Sequence, residues 1–445
     1  MALPELCEMA DRSRNTNGPA ILPFRDILIQ AFGLLTVLLL VAACATVDTT
    51  SSQPPQAATV SAAVASRWSL ALEPRERQDR QFVGLAVSGG GSRAAVFGAA
   101  VMLELDRLGL LQQVDAISAV SGGAMPAALY ALDGRNEVDF RRDGLERVGY
   151  DFQRAILRRW ATPWQVVRSW FSDEARPAIV MELLDRELFH GATYGDLNPD
   201  RPKLFLNATN ALTAEPVVLS DDLFAALRHA PASFPISRAV YMSASYPGLF
   251  PPVMLPSGEE LPVMGNGQGL TAYDGGTGDN LGVATLLRVL ERAAAHQPLE
   301  SHFPDGCLVI AVDATPRAKR TPTAPISAAA ALLANNRRHI LDRAGLAPSD
   351  QDRIMFSEFA VGQGPSRCRF WHIALRQLSD DDPAEAQIAR IPTNLGLDPD
   401  ERDWLRVAAA RLVERGRQVA RTVGQATGQI DTNSRALPIE QRLLW

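Results

Sequence analysis

A serine at the end of a short β-type run is the residue in this chain best suited to nucleophilic chemistry. Ser121 lies in the segment Ile117–Ala124, whose sequence is ISAVSGGA. A strand that ends in a serine flanked by small residues can lift the hydroxyl above the edge of a sheet. Gly122 and Gly123 meet that need, although Ala119 stands where the usual G-x-S-x-G elbow has its first glycine. The segment predicts a nucleophilic serine, with a Gly-rich turn in a core of small residues as the alternative.

A glycine-rich run upstream, Gly89–Arg93 with the sequence GGGSR, follows a second strand-like segment of the same design. Its unobstructed backbone N–H groups could stabilise an oxyanion. The rival interpretation is a nucleotide loop, since Gly89-x-Gly91-x-x-Ala94 opens a predicted helix. That fingerprint needs an acidic residue at the end of the next strand, whereas Asp115 starts its strand, and no Walker-type motif is present. The run therefore predicts the oxyanion half of an acyl-transfer site.

A serine needs a base to take its proton. A Ser-His-Asp triad would use a histidine, but no histidine here lies in a glycine-bounded loop after a strand. His372 begins a strand-like run and is either structural or a third triad member. Asp274 is the better candidate because it ends a strand-like run before Gly275 and Gly276, and a carboxylate can act as a general base. The alternative is that Asp274 only caps a turn. The histidines are His190, His229, His296, His302, His339 and His372.

Together these motifs resemble those of the patatin-like acyl hydrolases, a family that includes phospholipases A and lysophospholipases. The family pattern is a G-G-G-x-R oxyanion loop, a G-x-S-x-G elbow and a late D-G-A/G. This chain has GGGSR at Gly89–Arg93, AVSGG at Ala119–Gly123 and DGG at Asp274–Gly276, in that order. The resemblance covers about residues 81–313, and it extends to Leu204–Asn210, Ser243–Val253, Asp279–Val283 and, loosely, Ile391–Leu395.

The resemblance implies that Ser121 is the nucleophile and Asp274 its base, in a dyad without histidine. Arg93 would hold the oxyanion loop or help to bind a substrate phosphate. No cofactor and no metal are implied. The loop residues are Gly89, Gly90, Gly91, Ser92 and Arg93, with the backbone N–H groups around Gly90, Gly91 and Ser92 forming the hole; Gly122, Gly123, Gly275 and Gly276 would support the elbow and the base loop.

Two positions depart from the family pattern, because Ala119 and Ala94 stand where glycine is usual. Each change adds one methyl group, so we expect both to be tolerated. A crowded turn at Ala119 would instead impair activity.

Composition and the order of strand-like and helical segments limit the possible fold classes and partners. The chain has 445 residues, 47% hydrophobic and 21% charged, which suits a globular protein with a large core. The net charge of −6 comes without a basic patch, so nucleic acid is not an expected partner. The four cysteines show no zinc-ligand spacing. Successive β-then-α units predict parallel strands with right-handed crossovers, and the resemblance implies an α/β fold of three α/β/α layers around a mostly parallel sheet.

The folded domain is expected over residues 81–430, with 134–202 as a helical insertion or lid and 431–445 as a tail. The aromatic run Trp160–Phe171 is either an interfacial lid or ordinary helix packing. Strands are predicted at Phe82–Val87, Val114–Val120, Lys203–Asn207, Pro216–Leu219, Leu270–Asp274, Cys307–Val312 and Trp371–Leu375, and helices at Ala94–Leu108, Ala124–Leu132, Asp279–Ala295, Ile326–Ala344 and Pro399–Val423.

The N-terminus reads as an export signal. Residues 27–47 are nearly all apolar and follow Arg25, and the stretch ends in Ala-Ala before Cys44. This resembles a bacterial lipobox, which implies a signal peptide over 1–43, lipid attachment to Cys44 and a tether over 44–80. The residue after the cysteine is Ala45 and not aspartate, which in that family favours sorting to the outer membrane. The long n-region of mixed charge departs from the pattern. The alternative is a single transmembrane helix, since about 20 apolar residues can span a bilayer.

These features lead to one leading hypothesis and two alternatives. The leading hypothesis is a membrane-anchored acyl hydrolase that acts on phospholipid or lysophospholipid through an acyl-Ser121 intermediate. The alternatives are a non-lipid serine esterase on the same scaffold and a non-catalytic lipid-binding lipoprotein. The paired Ser121 and Asp274 argue against the last, because a binding protein needs neither. The oligomeric state is left open.

Overall fold

One mixed sheet runs through the part of the chain that the computed structural model describes. These residues are 81–162, 175–227, 229–247, 250–256, 269–296, 298–317, 328–361, 366–379 and 381–426. Within them the nine strands of the sheet are β1 (Phe82–Val87), β2 (Ala116–Val120), β3 (Lys203–Asn210), β4 (Pro216–Leu219), β5 (Val253–Pro256), β6 (Gly269–Asp274), β7 (Cys307–Asp313), β8 (Phe356–Ala360) and β9 (Arg367–Ala374).

The centre of the sheet is parallel and its edges are antiparallel. The strand order is β5-β6-β3-β2-β1-β7-β9-β8, and β4 also pairs with β3. The five strands from β3 to β9 in this order are parallel to their neighbours. By contrast, β4 and β6 run antiparallel to β3, β5 runs antiparallel to β6, and β8 runs antiparallel to β9. The prediction of a mostly parallel central sheet is confirmed.

Helices flank the sheet on both faces. They are α1 (Gly91–Arg107), α2 (Ala124–Leu132), α3 (Phe140–Val148), α4 (Phe152–Trp160), α5 (Ala175–Leu184), α6 (Asp221–Ala226), α7 (Ile236–Ala244), α8 (Gly276–Asp279), α9 (Val283–His296), α10 (Leu299–His302), α11 (Ala328–Arg343), α12 (Pro383–Ile388) and α13 (Pro399–Ala426).

Strand β1 shows how the layers form. Its side chains alternate between the two faces, as they must in any strand. Leu85 and Val87 pack in a core with α1, α2 and α13, whereas Phe82 and Ala86 pack in a second core with α9 and α11. Both faces are buried, so β1 is apolar throughout rather than alternating with polar residues. The result is the predicted three-layer α/β/α arrangement.

Three helices, α3, α4 and α5, lie within residues 134–202 where the structure describes them. Phe140 of α3, Phe152 of α4 and Ile179 of α5 are all buried in the same core as β1 and α1. Trp160 packs edge-on against Phe250 with ring centroids 6.5 Å apart. The rest of the predicted aromatic lid, residues 163–171, lies outside the described residues, so the lid stays a prediction.

Several predictions on the chain ends lie outside the described residues. They are the signal peptide 1–43, the tether 44–80 with Cys44, and the tail 431–445. None of the helices in the described ranges is long and apolar enough to cross a membrane. Those same ranges hold no cluster of three or more His, Cys, Asp or Glu side chains that could bind a metal ion.

A disulfide joins two of the four cysteines, which the sequence did not indicate. Cys307 begins β7 and Cys368 lies in the neighbouring strand β9, with their Cα atoms 4.8 Å apart. The strands are in register just beside the bond, where Leu308 pairs with Arg369. The pair is separated by 61 residues, and only the parallel pairing of β7 with β9 brings it together.

Candidate active site

Ser121 and Asp274 form a hydrogen-bonded pair. The Ser121 hydroxyl donates to Oδ2 of Asp274 over 2.7 Å. Ser121 is 8% exposed and Asp274 is 3% exposed, so the pair is largely shielded from water while the nucleophile keeps some access. Ser121 follows β2 directly and has φ 52°, a left-handed conformation that is uncommon for serine. This is the strained turn predicted for a nucleophile elbow.

The sheet explains how two residues 153 positions apart meet. Val120, at the end of β2, pairs with Asn207 of β3, and Asp274, at the end of β6, pairs with the next residue of β3, Ala208. Strand β4 occupies the opposite edge of β3, so β2 and β6 follow one another along the same edge. The turn after β2 therefore places Ser121 beside the end of β6, where its side chain meets that of Asp274.

Burial makes Asp274 a stronger base than an ordinary aspartate. Removal from water raises the pKa of the Asp274 carboxyl to about 6, because it destabilises the charged form. The hydrogen bond from Ser121 and the bond from the Gly276 N–H, which reaches Oδ1 over 2.7 Å, act in the opposite direction. The carboxyl is thus ionised at neutral pH and poised to accept a proton close to that pH.

The backbone N–H groups of the oxyanion loop differ in whether a carbonyl oxygen of the protein already accepts from them. The Gly89 N–H donates to the carbonyl oxygen of Asn280 over 2.9 Å, and the Ser92 N–H donates to that of Asn394 over 2.8 Å. Within the described part of the chain, the N–H groups of Gly90 and Gly91 have no hydrogen-bond acceptor. The prediction that Ser92 contributes its N–H is therefore corrected, since Asn394 already occupies that group.

Glycine is required where the loop touches the elbow. A Cβ atom at Gly122 would overlap the carbonyl oxygen of Gly91, so the two motifs are in direct contact. Gly91 itself has φ 61°, which glycine adopts without strain. Gly123 lies against the carbonyl oxygen of Ser88 in the same way, and Gly275 against that of Asn207.

The family comparison agrees with this arrangement. Residues 85–287 match the family model described as patatin-like phospholipase, and this range contains all three motifs. The chain therefore contains a patatin-like phospholipase domain. The match to this family model supports a lipid hydrolase. No curated protein matches the chain.

Solved structures that resemble this chain in part include the following three proteins. Human GIVD cytosolic phospholipase A2 is 15% identical with a TM-score of 0.46, and the match covers 86% of this chain and 62% of that one. VipD from Legionella pneumophila is 14% identical with a TM-score of 0.29, and the match covers 74% and 67%. Full-length ExoU of Pseudomonas aeruginosa, in complex with SpcU, is 15% identical with a TM-score of 0.26, covering 84% and 68%.

Arg93 of the patatin-like domain clamps the oxyanion loop from inside. It is 5% exposed, and its guanidinium donates through Nε to the Ala314 carbonyl over 3.0 Å and through Nη1 to the Ile391 carbonyl over 2.7 Å. Nη2 reaches the Thr393 hydroxyl over 3.1 Å. Burial lowers the pKa of Arg93 to about 10, and nearby Asp313 opposes this, so the group stays charged at neutral pH. Of the two predicted roles, these contacts favour holding the loop over binding a phosphate.

No histidine is a hydrogen-bond partner of Ser121 or Asp274 in the described residues. His372 is fully buried and its Nε2 lies 3.3 Å from Oδ2 of Asp313, which also accepts from Nε of Arg337 over 2.7 Å. Burial alone would raise the pKa of Asp313, but Arg337 and the His372 ring hold it well below its usual range. Of the two predicted options, His372 is structural.

The two alanines that replace family glycines fit the domain. Ala119 lies inside β2, is fully buried in the core, and pairs with Val87 of β1. It precedes the turn and sits in extended strand, so the turn itself places no demand on its side chain. Ala94 is 1% exposed within α1. Both methyl groups are accommodated by core packing.

Two residues around the dyad had no role assigned from the sequence. Ser243 accepts a hydrogen bond from the Ser121 N–H, and Asn207 binds the Ser243 hydroxyl through its carbonyl oxygen. Both lie in segments that resemble the family, but no local pattern marks either as part of the site. A third residue, Asp279, caps α9 by accepting three backbone N–H groups.

Proposed function

We propose that this chain is a serine acyl hydrolase of the phospholipase A or lysophospholipase type, working through a Ser121–Asp274 dyad. The observation that carries this proposal is the 2.7 Å hydrogen bond between the two side chains, within a patatin-like phospholipase domain. The buried Asp274, with its pKa raised to about 6 by desolvation, is suited to general-base work.

In the first half of the reaction, the Ser121 Oγ attacks the ester carbonyl carbon as Asp274 takes its proton. The carbonyl oxygen becomes an oxyanion that the N–H groups of Gly90 and Gly91 stabilise. The intermediate collapses, the ester bond breaks, and the leaving alcohol takes the proton from Asp274. An acyl ester on Ser121 remains.

In the second half, a water molecule gives a proton to Asp274 and attacks the acyl carbonyl carbon. The same two N–H groups bind the second oxyanion. The bond to Oγ then breaks, Ser121 takes the proton back from Asp274, and the fatty acid leaves. Protons and bonds balance over the cycle, and the carboxylate is regenerated.

The decisive test is Ser121→Ala with a mixed phospholipid and lysophospholipid vesicle as substrate. We expect fatty acid release, followed by mass spectrometry, to fall at least about 1,000-fold while the circular dichroism spectrum stays that of the parent. A variant that hydrolyses lipid as fast as the parent would exclude the dyad. Hydrolysis of short soluble esters but not of long-chain lipid would favour the non-lipid esterase, and binding without hydrolysis would favour the lipoprotein that only binds lipid.

We also propose that the enzyme works in the bacterial cell envelope, anchored through a lipid on Cys44 and placed beside its substrate. The lipobox-like end of the N-terminal apolar stretch motivates this anchor. The Cys307–Cys368 disulfide supports an oxidising compartment, because disulfides are rare in the reducing cytosol. A retained transmembrane helix is the alternative anchor for the same location.

A further inference from the structure

A fully buried serine beside the dyad contacts the nucleophile without belonging to the dyad. Ser243 is 0% exposed and lies one residue before the end of α7. Its Oγ accepts a hydrogen bond from the backbone N–H of Ser121 over 2.9 Å and donates one to the carbonyl oxygen of Asn207 over 2.6 Å. A single hydroxyl thus ties the backbone of the nucleophile to β3, the strand with which both β2 and β6 pair beside the site.

The backbone of the same segment holds the base. The Gly275 N–H donates to the carbonyl oxygen of Ser243 over 3.2 Å, and the Asp274 N–H donates to that of Ser245 over 3.1 Å. Ser243 is therefore attached to both halves of the site, to the nucleophile through its side chain and to the base loop through its main chain.

The acceptor of the Ser243 hydroxyl is itself fixed. The Asn207 side-chain amide donates to Oγ of Ser118 and to the Ala119 carbonyl, each over 2.9 Å, and its Oδ1 accepts from Oγ1 of Thr285 over 2.6 Å. A buried polar network whose members are all hydrogen-bonded is rigid. Asn207 therefore gives Ser243 an immobile point of attachment.

The nucleophile needs such an attachment because of its backbone conformation. At φ 52°, Ser121 occupies a region that a serine adopts only when its surroundings hold it there. The bond from its N–H to Ser243 fixes the peptide plane that precedes it, and this plane sets the direction in which Oγ points. A small rotation would lengthen the 2.7 Å bond to Asp274.

We propose that Ser243 is a positioning residue of the dyad, and that its hydroxyl holds the left-handed conformation that aims the Ser121 Oγ at Asp274. This inference rests on the proposed function of the dyad. Ser243 acts through Ser121 and not on the substrate. Its role needs an atom that accepts and donates at once, which a hydroxyl supplies and a methyl group does not.

The test compares Ser243→Ala with one control variant of the same helix. Ser237→Ala removes a buried hydroxyl, in a residue that is 5% exposed and has no bond to the dyad. The readouts are kcat and KM on lipid vesicles, the rate at which a fluorophosphonate labels Ser121, and the melting temperature.

We expect Ser243→Ala to lose about 10- to 100-fold in kcat with KM within about threefold of the parent, because misdirection of the nucleophile lowers reactivity and not substrate binding. Fluorophosphonate labelling should slow by the same factor. Ser237→Ala should keep kcat and labelling within about threefold, even where its melting temperature falls. Ser243→Cys keeps a group that can both donate and accept, but its larger sulfur forms weaker hydrogen bonds. It should therefore lie between the parent and Ser243→Ala, and it carries the test if Ser243→Ala does not fold.

The inference is overturned if folded Ser243→Ala, or folded Ser243→Cys in its absence, keeps kcat and the labelling rate of the parent. A loss of the same size in Ser237→Ala would also overturn it, since the effect would then be general to the helix. Ser121→Ala separates the two proposals. If it is inactive while Ser243→Ala is parent-like, the dyad stands and only this inference falls; if Ser121→Ala keeps full activity, both fall.

Discussion

At the scale of single residues, the site depends on one buried carboxyl. Asp274 loses its water shell on folding, and this raises its pKa to about 6 from an ordinary value of 3.8. Because it is an acid with a raised pKa, it must be deprotonated to act, and deprotonation requires a higher pH than for an exposed aspartate. The same burial that makes it a better base also costs stability once it is charged.

The pH dependence of hydrolysis follows from this pKa. We expect kcat/KM to be level above about pH 7 and to fall tenfold per pH unit below about pH 6, as protonated Asp274 can no longer accept the Ser121 proton. The measurement is kcat/KM against pH on one vesicle substrate. An acid limb near pH 4 would show that Asp274 is not desolvated in the free enzyme.

The same shift also makes a prediction about stability. An acid whose pKa is raised on folding destabilises the folded state above its folded pKa, and the penalty vanishes as the pH falls towards the unfolded value. A shift from 3.8 to about 6 corresponds to about 3 kcal/mol. Asp274→Asn should therefore be inactive but melt higher than the parent at pH 8, with the gap closing towards pH 4. A lower melting temperature at pH 8 would contradict this.

At the scale of secondary-structure elements, a helix or strand could be predicted when its own residues mark where it begins and ends. Strand β1 and helix α2 have the predicted bounds, Phe82–Val87 and Ala124–Leu132, because an apolar run and small residues mark both. The edge strand β5 was not predicted, since it spans four residues and ends in Pro256. Strand β8 was missed as well, because most of its residues are at least partly exposed, Glu358 among them, and it contains no apolar run.

The dyad could be predicted because each residue ends a strand inside a recognisable motif. The role of Ser243 could not, since it depends on where the end of α7 meets β2 and β3 in space. The same limit applies to Arg93, whose GGGSR motif was visible while its partners near residue 391 lie 298 positions away.

Because Arg93 holds the loop, its replacement should lower activity on every substrate to the same degree. Arg93→Met removes three hydrogen bonds that join α1 to the loops after β7 and α12. We expect kcat to fall at least about tenfold on phospholipid and on a neutral ester alike, together with a lower melting temperature, because a charged hydrogen bond contributes about 1.5–3 kcal/mol. Arg107→Met on the same helix, with its side chain 72% exposed, is the matched control and should change little. A raised KM for phospholipid alone would instead indicate phosphate binding.

At the scale of the whole molecule, the parallel centre of the sheet brings distant parts of the chain into one site. The elbow follows β2, and the oxyanion loop follows the neighbouring strand β1. The Arg93 side chain reaches the Ala314 carbonyl just beyond β7, on the other side of β1. The antiparallel strand β6 pairs with β3 just beyond the end of β2 and brings Asp274 to Ser121 there. Ligand sites of such sheets lie beyond the carboxyl ends of the parallel strands, which is where this one stands.

The disulfide between β7 and β9 makes the location of the whole molecule testable. In protein recovered from membranes of the producing bacterium, alkylation before reduction should leave Cys307 and Cys368 unlabelled, and Cys44 should carry lipid. Cys44→Ser should lose the lipid and keep the disulfide. Replacing both Cys307 and Cys368 with serine should lower the free energy of unfolding by about 4 kcal/mol, as expected for a bond that closes a loop of this length. Free thiols at both positions, or lipid labelling that survives Cys44→Ser, would rule out an exported enzyme anchored through Cys44.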